Sequence, residues 1–303
     1  MTRTPTRTRA AVAVLVVLSL VAVAALVAAL VATLAPREED GPLLEQHVRD
    51  FTGQLLPSGP YRPPDRAERE AVVSAVAALL GAGAAEGDPA RRTMEDAGFT
   101  VGVSANAAGD EFLVARSDPD SERSWGLLAL PLDREPRLLI EVPHPNADYG
   151  TEEVGLAVLA ARPDAIYLQA GAHRRAADER ADVAHEVDSL FHALAVDLSV
   201  RLRLPQLQLH GFGERDDLDD DVVLGGGPEE PAPPVSDLAD RLEEADLSVC
   251  RAWSQRCRGL EGTTNVQGHA ASLFGLPFAH VEMSADLRKR PEDAAAALAS
   301  LAG

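Results

Sequence analysis

The longest apolar run of the chain lies near its start. Residues 10–35 read AAVAVLVVLSLVAVAALVAALVATLA, with no charge and no proline. A hydrocarbon core about 30 Å thick needs roughly 20 such residues in a helix, so this pattern predicts a membrane-spanning segment. Beyond it the apolar residues break into short periodic pieces. Residues 36–65 carry scattered prolines (PSGPYRPPD) and one weak helical pattern at 43–56, and read as a stalk. Residues 66–83 have helical spacing and follow Asp65, a ready cap. Three runs of β character, at 99–103, 111–116 and 125–132, are separated by turn residues and predict an antiparallel section.

From residue 137 the pattern alternates. Short apolar runs at 137–142, 164–171, 206–211, 221–227, 247–253 and 278–284 predict strands, the first two buried on both faces. Between them lie helical patterns at 151–161 with Thr151 as N-cap, at 179–196, and at 236–246 with Ser236 as cap. A last alanine-rich helix, 291–301, begins at Pro291, where proline is favourable. Strands alternating with helices predict an α/β fold: a mixed, mostly parallel sheet flanked by helices, with the 99–132 section part of the same sheet. The expected organisation is a tail at 1–9, a transmembrane signal anchor at 10–35, a stalk at 36–65 and an α/β domain at 66–303.

Charge orients the anchor. Three arginines stand in the first nine residues, and Glu38, Glu39 and Asp40 follow the apolar run, which places the N-terminus in the cytoplasm and the domain outside. A cleaved signal peptide, ending near Thr33 and Ala35, is the alternative and would release the domain. The net charge of −20 repels nucleic acid, and no basic patch interleaved with aromatics appears. Cys250 and Cys257 form an even pair at short spacing, which in an exported chain predicts a disulfide, with two separate buried thiols as the alternative.

Three polar clusters stand directly after predicted strands, where ligands bind in open α/β sheets. EVPHPNADYGTEE holds His144 and Asp148, QLHGF holds His210, and HVEMSADLR holds Glu282. Two imidazoles and a carboxylate form a zinc shell with a position left open for water, and a further carboxylate can serve as general base. Serine-hydrolase, P-loop and dinucleotide motifs are missing. The acidic run DDLDDD at 216–221 lacks the glycine and terminal glutamate of an EF-hand loop.

HPNADYGTEE resembles the His-loop-acid-x-Gly-Thr segment of the poly-γ-glutamate hydrolases, zinc enzymes with a metallocarboxypeptidase-like fold. QLHGF resembles their third-ligand strand, VVLGGG their glycine-rich strand, GTTNVQG their Asn-containing loop and FAHVEMSADLR their closing strand, so the likeness runs from about 137 to 290. The resemblance implies Zn2+ held by His144, Asp148 and His210, with Glu282 as general base and acid, acting on a peptide or amide substrate. An aspartate at 148 replaces the usual glutamate, and His144-Pro145 replaces a His-Gly-Gly start. Arg174 and Arg175 are candidates for clamping an acidic substrate end. Asn265 either positions substrate or shapes its loop. Asp182 and His185 would brace the ligands or form a second metal site, and with His192 they would share a helix face. The competing reading is a non-catalytic binding module on the same fold.

Overall fold

Leu44, Val48 and Phe51 recur at helical spacing and are fully buried. The computed structural model describes residues 43–82, 87–215 and 217–302. Helix α1 (Leu44–Gln54) places this stripe in one apolar cluster with Leu127, Leu138 and Tyr167 of the sheet. Gln169 Nε2 donates to Thr52 Oγ1 at 3.0 Å, and Asn146 Nδ2 donates to the Leu55 carbonyl. Part of the expected stalk is therefore core, because three side chains at i, i+4 and i+7 remove a continuous apolar stripe from water. The described residues from 43 onward accordingly belong to one compact unit with the domain expected at 66–303. Residues 10–35, expected to span a membrane, lie outside the described residues. No helix among the described residues is long and apolar enough to cross one.

Among the described residues nine strands form one sheet. They are β1 (Phe99–Ala105), β2 (Glu111–Ser117), β3 (Gly126–Pro131), β4 (Leu138–Val142), β5 (Ala165–Ala170), β6 (Gln206–Gly211), β7 (Val222–Gly225), β8 (Val249–Arg251) and β9 (Phe278–Met283). Their order is β1-β2-β3-β5-β4-β6-β9-β7-β8. The section β1–β3 is antiparallel and joins the main sheet through β3 and β5, as the pattern predicted. Parallel pairings run β5–β4, β4–β6, β6–β9 and β7–β8, while β7 lies antiparallel to β9. The sheet is thus mixed in equal parts, not mostly parallel: two hairpins, the β3–β5 pairing and the reversed entry of β7 supply as many antiparallel pairs as the crossovers supply parallel ones.

Helices cover both faces. On one side α1, α4 (Thr151–Ala161), α6 (Pro233–Glu244) and α9 (Pro291–Ala299) close a large apolar cluster. On the other, α2 (Arg66–Ala82), α3 (Pro89–Asp96) and α5 (Leu190–Leu202) close a second. Asp65 caps α2 reciprocally: its Oδ1 accepts from Glu68 N at 2.8 Å while Glu68 Oε2 accepts from Asp65 N at 2.9 Å. Three boundaries differ from expectation. Gly150, at φ 87°, precedes α4 in place of Thr151, since the loop enters through a left-handed residue. Pro233 opens α6, so Ser236 lies inside it. The helix expected at 179–196 is α5 instead, capped by Ser189, and residues 171–189 form a loop. The remaining helices, α7 (Val266–Phe274) and the short α8 (Ala285–Arg288), flank β9.

Candidate metal centre

Parallel strands bring their C-terminal ends to one edge of a sheet, and the polar clusters follow them there. β4 runs into the turn that carries His144 and Asp148, with Asp148 N donating to the His144 carbonyl at 3.0 Å. β6 carries His210, and the register of β6 on β9 sets Glu282 directly beside it. His144 and His210 are buried.

Three donor atoms converge. His144 Nδ1 stands 3.1 Å from Asp148 Oδ2 and 3.2 Å from His210 Nδ1, and His210 Nδ1 stands 3.4 Å from Asp148 Oδ2. Donors held at about 2.0–2.2 Å around a tetrahedral metal ion are separated by roughly 3.3–3.6 Å, so these three atoms form a group that could hold a metal ion. The aspartate at 148, one methylene shorter than a glutamate, still brings its Oδ2 into the group. Each imidazole is held from behind through its other nitrogen. His144 Nε2 donates to Asp182 Oδ1 at 2.7 Å, and His210 Nε2 donates to Gln208 Oε1 at 2.9 Å. Both Nδ1 atoms are thereby turned to the convergence point, in the manner of ligand histidines oriented by a second layer of hydrogen bonds.

The charges explain what the point accepts. Burial pushes the Asp148 and Asp182 carboxyls up, but hydrogen bonds to His144 and to His210 or His185 outweigh it and hold both well below the usual aspartate range. Burial lowers the His144 pKa, yet its bonds to Asp148 and Asp182 raise it overall. His210 falls to about 4, chiefly through burial. The ionised Asp148 thus faces a spot that takes either a proton on His144 Nδ1 or a cation, while the ionised Asp182 holds the far side of the same imidazole.

Glu282 lies within 4.8 Å of His210 and His280 by ligand atoms. Burial, then the Asp148 charge, pushes its pKa up to about 7, where a carboxylate both takes and returns a proton near neutrality. His210, His280 and Glu282 also make a geometric trio. It offers only two free ligands, since His210 Nδ1 belongs to the first group and Nε2 is bound to Gln208.

The other predicted residues separate. Arg174 is in the site: Nη2 donates to Asp182 Oδ2 at 2.6 Å, and Nη1 stands 3.3 Å from His144 Nδ1. Arg175 is exposed, and its backbone N–H donates to His173 Nδ1. Asn265 is buried beside His210, its Nδ2 donating to Gln208 Oε1 and standing 3.3 Å from His210 Nε2. Asp182 and His185 share a loop, not a helix face, with His185 Nδ1 3.2 Å from Asp182 Oδ1. His192 lies apart on α5. Cys250 and Cys257 are disulfide-bonded.

Arg288 closes the segment FAHVEMSADLR. Its Nε donates to the Tyr149 carbonyl at 2.6 Å and its Nη1 to the carbonyls of Phe212 and Met283. One side chain thus ties together the segments that carry Asp148, His210 and Glu282. Glu141 and Gln208 are not marked by any motif; their signal is a polar residue inside the otherwise apolar runs LLIEV and QLQLHG.

Neither the protein-family models nor the curated proteins give a match to the sequence. Solved structures give distant similarity. A bacteriophage poly-gamma-glutamate hydrolase aligns with a TM-score of 0.41 at 14% identity, over 57% of this chain and 87% of that one. A metallo-carboxypeptidase from Burkholderia cenocepacia gives 0.39 at 13% identity, over 80% and 69%. An aspartoacylase family protein from Mesorhizobium loti gives 0.35 at 10% identity, over 65% and 67%.

Proposed function

We propose that this protein is a zinc-dependent hydrolase of an amide or peptide bond in an acidic substrate, anchored in the membrane with its domain outside the cytoplasm. The observation that carries the hydrolase reading is the triangle of His144 Nδ1, Asp148 Oδ2 and His210 Nδ1, at separations of 3.1 to 3.4 Å. Zinc held there would supply Lewis acidity and lower the pKa of a water at its open position.

The remaining chemistry falls to side chains of the chain itself. Asp182 fixes His144 through Nε2 and holds Arg174 through Nη2, leaving the Arg174 Nη1 edge for a substrate carboxylate or a developing oxyanion. Glu282, with its raised pKa, takes a proton from the attacking water and returns it to the leaving nitrogen. Arg288 keeps the three ligand-bearing segments in register. The resemblance of HPNADYGTEE and FAHVEMSADLR to the poly-γ-glutamate hydrolases favours γ-glutamyl or cell-wall peptides as substrates. Export is supported by the apolar run at 10–35 and by the Cys250–Cys257 disulfide, which suits an oxidising compartment.

Metal content tests the reading. The full-length chain, purified without chelator, is expected to carry about one zinc per chain, lost in His144→Ala and in His210→Ala. Glu282→Gln should keep the metal and lose turnover on acidic amides. A folded wild-type chain that takes up no zinc when it is supplied would overturn the hydrolase and favour a non-catalytic module.

A further inference from the structure

The amide of Gln208 uses all four of its hydrogen-bonding positions. Its Oε1 accepts from His210 Nε2 at 2.9 Å and from Asn265 Nδ2. Its Nε2 donates to Glu141 Oε2 at 2.8 Å and to Gln267 Oε1 at 3.2 Å. Gln267 is held in turn, donating to the Val183 carbonyl at 2.9 Å. All of these side chains are buried.

This arrangement has one stable sense. Turning the amide over would set its NH2 against the NH2 of Asn265 and its oxygen against the carbonyl oxygen of Gln267, whose own NH2 is held by the Val183 carbonyl. In the observed sense Gln208 presents an acceptor to His210 Nε2 at 2.9 Å; Asn265 Nδ2 also stands 3.3 Å from that nitrogen, but it donates to the nearer Gln208 Oε1, so the ring nitrogen carries the hydrogen. An imidazole that is neutral and protonated on Nε2 has its lone pair on Nδ1. For His210 that nitrogen faces Asp148 and His144.

We infer that Glu141 and Gln208 are positioning residues that fix His210 in its Nε2–H tautomer and so present the Nδ1 lone pair to the metal. The inference rests on the zinc reading for its purpose, but the tautomer itself does not require the metal. Glu141 acts through Gln208 at a distance from the ligand, with no contact to substrate. Its Oε1 is buried without a hydrogen-bond partner, which an apolar residue at this central strand position would avoid. That orphan marks a carboxyl kept for the acceptor on its other oxygen.

The test uses the full-length chain with histidine labelled in its ring nitrogens, purified without metal, and the single probe is zinc. The wild type should show His210 as one neutral Nε2–H tautomer in ring-nitrogen NMR, assigned by loss of the signal in His210→Ala. Glu141→Met removes the acceptor at similar volume. It should give a mixture of tautomers and weaken zinc binding about tenfold, the lower end for losing a supporting hydrogen bond. Glu141→Gln restores an acceptor oxygen and should return the single tautomer and an affinity within roughly twofold of wild type. Asn265→Leu unlocks the amide from the other side and should reproduce the mixture. A wild-type His210 carrying its proton on Nδ1 would overturn the inference even if every variant failed to fold. So would an unchanged tautomer and affinity in Glu141→Met. If wild type binds no zinc yet shows the single tautomer, lost in Glu141→Met, the metal reading fails and the positioning pair stands.

Discussion

Gly211→Ala is a one-carbon change with a large expected cost. A Cβ built on Gly211 lies 2.0 Å from Arg288 Nη1 and 2.3 Å from Cζ, inside the guanidinium. Backbone cannot yield on a strand paired with β9 through Gly211 and Met283, so the arginine must leave. It then gives up its bonds to the carbonyls of Tyr149, Phe212 and Met283. A hydrogen bond from a charged donor is worth about 1.5–3 kcal/mol net. The three share one side chain and do not add, and Met283 O keeps the bond from Phe212 N. The expected loss is about 3 kcal/mol, or roughly 6–12 °C in Tm at about 2–4 °C per kcal/mol for a domain of this size. Thermal unfolding should be measured for Gly211→Ala, Arg288→Ala and the double variant. If the steric conflict with Arg288 is the cause, the second substitution adds little to the first. A Tm within roughly 2 °C of wild type, or fully additive single losses, would refute the argument.

Three further outcomes are expected. Phe51→Ala should destabilise the domain by about 3–5 kcal/mol in denaturant unfolding, because Phe51 is fully buried in the main cluster; a detached stalk would show no change. Reducing the Cys250–Cys257 bond, which spans a sequence separation of 7, should lower stability by about 2.5 kcal/mol from loop entropy, read as a lower Tm in dithiothreitol. Burial pushes the Glu141 pKa up to about 8 from 4.5, so the unfolded chain ionises first and wild type loses stability as pH rises from 4.5 towards 8. Glu141→Gln should therefore match wild type near pH 4.5 and exceed it by a few kcal/mol near pH 8, and a constant difference across that range would contradict the buried, neutral carboxyl.

Much of the site was legible because it sits where buried strands end. His144, His210 and Glu282 each follow or close an apolar run, and a parallel arrangement of those runs brings them to one edge. The loop at 171–189 was not legible. Its RRAADERADVAHE reads as helix by composition, yet Ala177, Asp178 and Glu179 are all left-handed. Such residues cost roughly 1–2 kcal/mol each, and the loop keeps them while delivering Arg174 and Asp182 to His144. Tertiary contacts there override local propensity. Helix α1 was read as stalk because prolines crowd the sequence after it, although its stripe Leu44, Val48, Phe51 carried the opposite signal.

Strands β6 and β9 divide two tasks between their faces. Leu207, Leu209, Ala279, Val281 and Met283 belong to the main apolar cluster. The alternate positions Gln206, Gln208, His210, His280 and Glu282 turn the other way, and Glu141 of β4 pairs in register with Gln208. Gln206, His280, Glu282 and Glu141 each keep a buried polar atom without a hydrogen-bond partner among the described residues. An orphan of this kind costs about 1–3 kcal/mol, and valine or isoleucine would remove it from a central strand at a gain. A face that holds four of them is not built for stability. It is intelligible as the floor of a site, where polar groups hold two imidazoles in place and keep a carboxyl near neutrality.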